Sequence, residues 1–265
     1  MVKKLFKHEL NAYWRIMLPM WGILLAIALF GRIIQFFEID HFVYDIVNGS
    51  SILFYGIAVA VALVFPVVFA IIRFYKNLFT GEGYLSFTLP VTVSQHIIVK
   101  VSGAVLMVLL SFVAALVSLC VITAGDVLVE LWKAGVYIFN YIHQYIGGHL
   151  WWFMLEAVVL LLVALVGQAL YYDTCITIGQ LFRKNRVLAA VGVYFGFYLI
   201  TQVISTIIVI ITMFIDWVPV AEWIEKHPYA TIHGVMCSSI LLSIILCVVE
   251  YLVVYLIIRR RLNLE

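Results

Sequence analysis

Six long apolar runs, at Met17–Phe37, Ser51–Arg73, Ile97–Gly125, Leu150–Tyr172, Leu188–Phe214 and Val235–Ile258, leave this 265-residue chain few ways to fold. Each holds about 20 residues or more, and at about 1.5 Å per residue a helix of that length crosses the roughly 30 Å of bilayer hydrocarbon. The chain is 66% hydrophobic and 11% charged, against about 25% charged in ordinary soluble domains. No water-soluble fold hides that much apolar surface. The expected fold is therefore an all-α integral membrane protein: one domain over residues 1–265 with six transmembrane helices.

The first run follows a charged amphipathic stretch and has no small-residue cleavage site, so it reads as a retained helix. Lys3, Lys4, Lys7 and Arg15 precede span one, and Arg73, Lys76 and Lys100 flank the connection between spans two and three. Arg183, Lys184 and Arg186 lie between spans four and five, and Arg259, Arg260 and Arg261 follow span six. These are 13 of the 16 basic residues, and all fall on one side if the spans alternate. The other side holds Glu38, Asp40, Asp45, Asp126, Glu130, Asp216, Glu222 and Glu225 with only Lys133 and Lys226. Segregation of that kind places both termini in the cytoplasm. A Cys introduced at Asn140 or Glu222 should then react with a membrane-impermeant thiol reagent from outside, and one at Asn185 only after the membrane is opened. Outside labelling at Asn185 would overturn the six-span topology.

Between the spans, three segments carry their own pattern. In residues 2–15, Leu5, Phe6, Leu10, Tyr13 and Trp14 stand against Lys3, Lys4, Lys7, His8, Glu9 and Asn11, the spacing of an elbow helix lying in the inner interface, with Pro19 turning the chain into span one; a simple continuation of span one into the cytosol is the alternative. The segment Asp126–Ile146 sets Leu128, Leu131, Trp132, Ile138 and Ile142 on one face and Glu130, Lys133, Asn140 and His143 on the other, an external amphipathic helix. A seventh span here would put Arg183, Lys184 and Arg186 outside, against the charge rule. "DWVPVAEWIEKHPY" reads as a short outer cap, a partly re-entrant turn or a plain surface loop.

No phosphate loop, GxSxG, HExxH or CxxC pattern occurs, and no His pair is placed for a metal within a span. The four cysteines are scattered singly in apolar helices, where they behave as small hydrophobes. No catalytic residue, metal site or cofactor is assigned to the chain, and nothing points to nucleic acid. Four ionisable residues lie in or near the spans, where charge is costly: Arg32, Glu156, Asp173 and Glu250. Arg32, near Glu38, and Glu156, just inside Trp151 and Trp152, can snorkel to the outer interface. Asp173 and Glu250 lie deeper. They pair with each other or with Ser and Thr hydroxyls, or else serve a substrate or proton path. Gly56, Ala58, Ala60 and Ala62 in span two, and Gly192 and Gly196 in span five, are faces for close helix approach.

The polar stretch "RFYKNLFTGEGYLSFTLPVTVSQHIIVK" interrupts the apolar sequence between spans two and three. "TGEGYLSFTLP" has room for at most about two helical turns before Pro90 forbids continuation, and Thr92 with Gln95 forms a capping box for span three. Tyr84, Leu85, Phe87 and Leu89 give that short helix an apolar content needing something to press on.

"GEGYLSFTLPVTVSQHIIVK" resembles the loop between helices two and three of ABC-2 type permeases. "FKHELNAYWRIMLP" resembles that family's N-terminal elbow, and "IGQLFRKNRVLAAVGVY" its junction between spans four and five. The resemblance covers essentially the whole chain, departing from the family where "TGEGYL" carries fewer charges than its usual loop. It implies a permease subunit working as a pair, identical or not, in a bacterial plasma membrane. ATP, with Mg, would be hydrolysed on a separate nucleotide-binding subunit. Gly81, Glu82, Gly83, Tyr84, Leu85, Phe87, Leu89 and Pro90 would form the coupling helix set into that ATPase. Family habit implies export of an amphipathic or hydrophobic substrate such as a peptide, drug or lipid. Two other readings stay open: a proton-coupled secondary transporter using Asp173 and Glu250, and a non-transporting membrane sensor or assembly protein.

Overall fold

The computed structural model describes residues 2–35, 41–81, 83, 88, 91–182, 185–214 and 217–261, without the side chains of residues 41–45, 145, 217 and 261. Among the described residues all regular structure is helical, as a lipid-immersed chain requires, since hydrocarbon offers no partner for a free backbone N–H or C=O. The helices are α1 (Val2–Gln35), α2 (His41–Phe79), α3 (Val93–Ile122), α4 (Asp126–Ile146), α5 (His149–Gly179), α6 (Arg186–Met213), α7 (Trp217–Lys226) and α8 (Pro228–Arg261). Six of them, all but α4 and α7, are long and apolar enough to cross a membrane. They coincide with the six apolar runs. The chain divides into two compact units, one of residues 1–74 and 89–141, the other of residues 75–88 and 142–265.

In the first unit α1 lies along α3. The buried residues of α1 are Glu9, Tyr13, Met17, Trp21, Leu24, Ala28 and Gly31, spaced by three or four throughout. That stripe crosses residue 15 and Pro19 without a break. The N-terminal segment is thus the first third of one 34-residue helix rather than a separate elbow. A helix lying flat would turn Glu9 towards water, whereas here Glu9 belongs to the packed face. Tyr13, Met17, Trp21 and Met107 form the core of the unit, with Phe65 and Phe69 of α2 packed against it. The Trp21 indole N–H donates to Ser111 Oγ of α3 at 3.0 Å, a buried bond. Tyr55 of α2 and Ser118 of α3 share a hydroxyl hydrogen bond at 3.0 Å. With lipid outside, such interhelical polar bonds and close packing hold helices together more than any hydrophobic gain does.

Arg73 and Lys76 sit within α2, which continues to Phe79, so the polar stretch starts later than the end of the apolar run. The capping box at the head of α3 is formed: Gln95 N–H donates to Thr92 Oγ1 at 3.4 Å and Thr92 N–H to Gln95 Oε1 at 3.1 Å. Of the proposed coupling helix, Gly81 is exposed and Gly83 buried. Glu82, Tyr84, Leu85, Phe87, Leu89 and Pro90 lie outside the described residues. The amphipathic α4 has the bounds its sequence implies.

In the second unit α5 packs on α6 and α8, and α7 on α8. The α5–α8 contact is close at Gly167, where an added Cβ would stand 3.1 Å from Cys247 Sγ. The thiol of Cys247 donates to the Val163 carbonyl at 3.7 Å. At Gly179 the approach of α6 is closer still. A Cβ there would lie 2.6 Å from Ala190 Cβ and 2.7 Å from its backbone N and Cα. Gly179→Ala should therefore cost about 1–3 kcal/mol through forced separation of the two backbones, seen as a lower thermal midpoint. An unchanged midpoint would show that α6 is free to move aside.

The face of α6 that meets α5 carries Ala190 and Tyr194, not the two glycines expected there. Gly192 and Gly196, like Gly56 of α2, have open space where a Cβ would stand. The segment "DWVPVAEWIEKHPY" contains a short helix, α7, followed by Pro228 at the first position of α8, where its missing N–H costs nothing.

Candidate functional site

Among the described residues, three ionisable side chains meet where composition gives no hint of it. Glu9, from the N-terminal third of α1, accepts two hydrogen bonds from the Arg73 guanidinium, Nε to Oε1 at 2.7 Å and Nη2 to Oε2 at 2.9 Å. Lys100 Nζ, from the second turn of α3, reaches the same Oε1 at 3.4 Å. All three side chains are withdrawn from solvent, with Glu9 7%, Lys100 8% and Arg73 15% exposed. The guanidinium also lies over the Tyr13 ring, 5.6 Å from its centroid, a cation–π contact that supports a desolvated arginine. At Gly103, one turn beyond Lys100, a Cβ would stand 3.6 Å from both Glu9 Cγ and the Tyr13 ring, ordinary contact, so the carboxylate lies directly on the α3 backbone.

Bidentate Arg–carboxylate geometry gives this contact direction as well as strength. Two cations share one carboxylate. Position is the informative part. Arg73 and Lys100 stand on α2 and α3, the helices that end and begin at Phe79 and Val93 on either side of the polar stretch, and Glu9 fastens both to α1. The two roots of the proposed coupling segment and the chain's N-terminal helix are thereby tied at one point.

The intramembrane candidates fare differently. Arg32 donates to Gln35 Oε1 one turn on, at 3.1 Å, while Glu38 lies outside the described residues. Glu156 does not snorkel: its Oε1 is 2.7 Å from Nδ1 of His233 on α8. Asp173 is buried. Its backbone carbonyl accepts the Thr177 hydroxyl at 2.6 Å. Next to it, the Thr174 hydroxyl donates to the carbonyl of Glu250 at 3.4 Å, so α5 brings this acidic pair of positions to α8. One carboxyl oxygen of Glu250 is buried with no hydrogen-bond partner among the described residues. Beside these positions Tyr171, Tyr172 and Tyr194 form a ring cluster, with Tyr172 and Tyr194 stacked at 6.3 Å.

Between α1 and α2 lies a half-open cavity of about 560 Å³. Its lining includes Ile23, Ile27, Phe30, Ile34 and Phe54, with Ser50 and Ser51 the hydroxyl-bearing members. Both serines turn back on their own helix, to the Val47 and Asn48 carbonyls at 2.8 Å each. The wall accordingly offers apolar contact and no spare hydroxyl donor. Among the described residues no group of three or more His, Cys, Asp or Glu side chains is placed to hold a metal ion.

Neither a family model, nor a curated protein, nor a solved structure matches the chain.

Proposed function

We propose that the chain is the membrane-spanning permease subunit of a two-component ABC transporter, working as a pair and driven by ATP, with Mg, hydrolysed on a separate nucleotide-binding subunit. The observation that carries this reading is the Glu9–Arg73–Lys100 cluster. A partner that pulls on the 81–90 segment acts on two roots held by one carboxylate, so α1, α2 and α3 move together. Three sequence features support it beside that geometry: the "GEGYLSFTLP" stretch, its proline stop and capped successor helix, and the segregated basic residues, which favour a cytoplasmic side for this connection.

The substrate class, a hydrophobic or amphipathic molecule such as a lipid, drug or peptide, is the one family habit implies, and the apolar lining between α1 and α2 is compatible with it. Export is the direction the resemblance implies. The test is to purify the tagged chain from its native membrane in mild detergent and identify what elutes with it. A stoichiometric subunit containing a phosphate loop is expected, and its absence under conditions that keep the chain folded would sink the assignment.

One observation favours a second reading. A carboxyl oxygen of Glu250 that is buried with no hydrogen-bond partner among the described residues is what a proton-coupled carrier would need at depth. Transport that collapses with the proton gradient and persists without ATP would select it.

A further inference from the structure

Near the start of α5 and of α8 stands a polar cluster that the transport reading leaves unused. Glu156 Oε1 lies 2.7 Å from His233 Nδ1, and their side chains are 14% and 26% exposed. The Cys237 thiol, one turn beyond His233, donates to the same oxygen at 3.8 Å. Glu156 Oε2 is buried with no hydrogen-bond partner among the described residues. The His233 ring packs 4.2 Å from that of Phe153 and 5.7 Å from that of His149, which itself stacks on Tyr229 at 4.9 Å.

We propose that the Glu156–His233 pair is a proton-binding site that clasps the start of α5 to the start of α8, tightened by acid and loosened by base. With a neutral imidazole the contact is a hydrogen bond between the ring and the carboxylate. Once the ring gains a proton, Coulombic attraction between two full charges is added, in side-chain surroundings only partly open to solvent. Proton binding and closure therefore favour each other. The charged pair needs an ionised carboxylate and a protonated ring together, so it is lost as rising pH removes the ring proton.

The other titratable groups around the pair leave this sign intact. Tyr229 and Cys237, on α8 itself, and His149, on α5 with its ring 5.7 Å from that of His233, are the titratable groups nearest the pair. On α7, which packs on α8, Glu222, Glu225, Lys226 and the neighbouring His227 are exposed, so solvent and salt screen them. On α6, the one charged residue is Arg186, at the end that meets the far end of α5. Under the topology read from the basic residues this clasp lies at the outer face. The site would then respond to the proton concentration outside the cell, and the packing of α8 on α5 would change with it.

The experiment compares thermal midpoints of the full-length protein in detergent at about pH 5.5 and about pH 8, on either side of the imidazole titration. His233→Gln and Glu156→Gln should each lower the midpoint at the acidic pH by about 2–4 °C more than at the basic one. Equal losses at both values would overturn the proposal. The second measurement is the rate at which Cys237, an exposed thiol, takes up a thiol reagent, followed by peptide mass. The ratio of the His233→Gln rate to the wild-type rate at the same pH should be several-fold above one in acid and fall towards one in base. A ratio independent of pH would also overturn it. His149→Gln should leave the effect in place. If it removes the pH dependence and His233→Gln does not, the proton resides on His149 and the assignment is wrong.

Discussion

Replacing Glu9 by Gln is expected to destabilise the protein more than any other single change in its first unit, by about 3–5 kcal/mol. The isosteric amide keeps the volume and removes the charge that Arg73 and Lys100, 15% and 8% exposed, share. The cost comes from stranding charge out of water more than from losing three hydrogen bonds. The asymmetry of the cluster supplies the control. Lys100→Met deletes the longer contact, 3.4 Å, and leaves a bidentate Arg73–Glu9 pair of zero net charge, so it should be close to neutral. Arg73→Lys keeps the charge but loses the fork of donors and should fall between the two. Thermal midpoints in detergent should therefore rank Lys100→Met highest, then Arg73→Lys, then Glu9→Gln. A Glu9→Gln protein as stable as the wild type would mean that the cluster is not what ties α1 to α2 and α3.

The second large effect concerns assembly, not stability. Under the permease reading, Tyr84, Leu85, Phe87 and Leu89 divide between the chain's own base and a groove in the ATPase. A large apolar side chain fully withdrawn from water contributes about 1.5–3 kcal/mol, and every 1.4 kcal/mol is a factor of ten in affinity. Tyr84→Ala or Leu85→Ala should thus weaken binding of the ATPase by about 10- to 100-fold while leaving the isolated chain's thermal midpoint unchanged. Glu82→Gln should do far less, because a solvated rim charge contributes little. Co-elution and transport measured on the same preparations decide it. Normal values for both apolar variants would remove this segment as the coupling element.

The parts of this fold that could be read from the sequence are those governed by a strong local rule. Twenty apolar residues in a row can do little except cross a bilayer, and each run lies in a helix long and apolar enough to do so, which at α1 and α2 begins 10 or more residues before the run. Thr92 and Gln95 could be paired from their spacing alone, because a capping box is closed within one turn. The amphipathic pattern of Asp126–Ile146 likewise fixed α4 to its bounds.

What escaped was long-range. Glu9 looked like one more polar residue on the solvated face of an interfacial helix, although it stands four residues before Tyr13 and eight before Met17, on the side that proved to be buried. Nothing within residues 2–15 reveals that Arg73 and Lys100, 64 and 91 positions away, supply its partners. A signal was present nonetheless: a single acid among Lys3, Lys4, Lys7 and Arg15, in register with the apolar stripe. Glu156 misled for the same reason. Its nearness to Trp151 and Trp152 argued for snorkelling, and His233, the partner that keeps it inside, lies 77 positions on. Gly192 and Gly196 had the spacing of a packing face, yet the contact formed one helical face away, at Ala190. Small-residue spacing marks where helices are able to approach, and the neighbour decides where they do.

The central claim, that a separate ATPase drives this chain, is tested most directly by isolating the complex from its native membrane through a tag on this subunit, reconstituting it in vesicles and following ATP hydrolysis and substrate movement together. The account predicts vanadate-sensitive hydrolysis in the wild-type complex, movement that stops when ATP is withheld, and loss of both when Tyr84→Ala is introduced. Movement by the chain alone, sustained by a proton gradient with no ATPase attached, would contradict it.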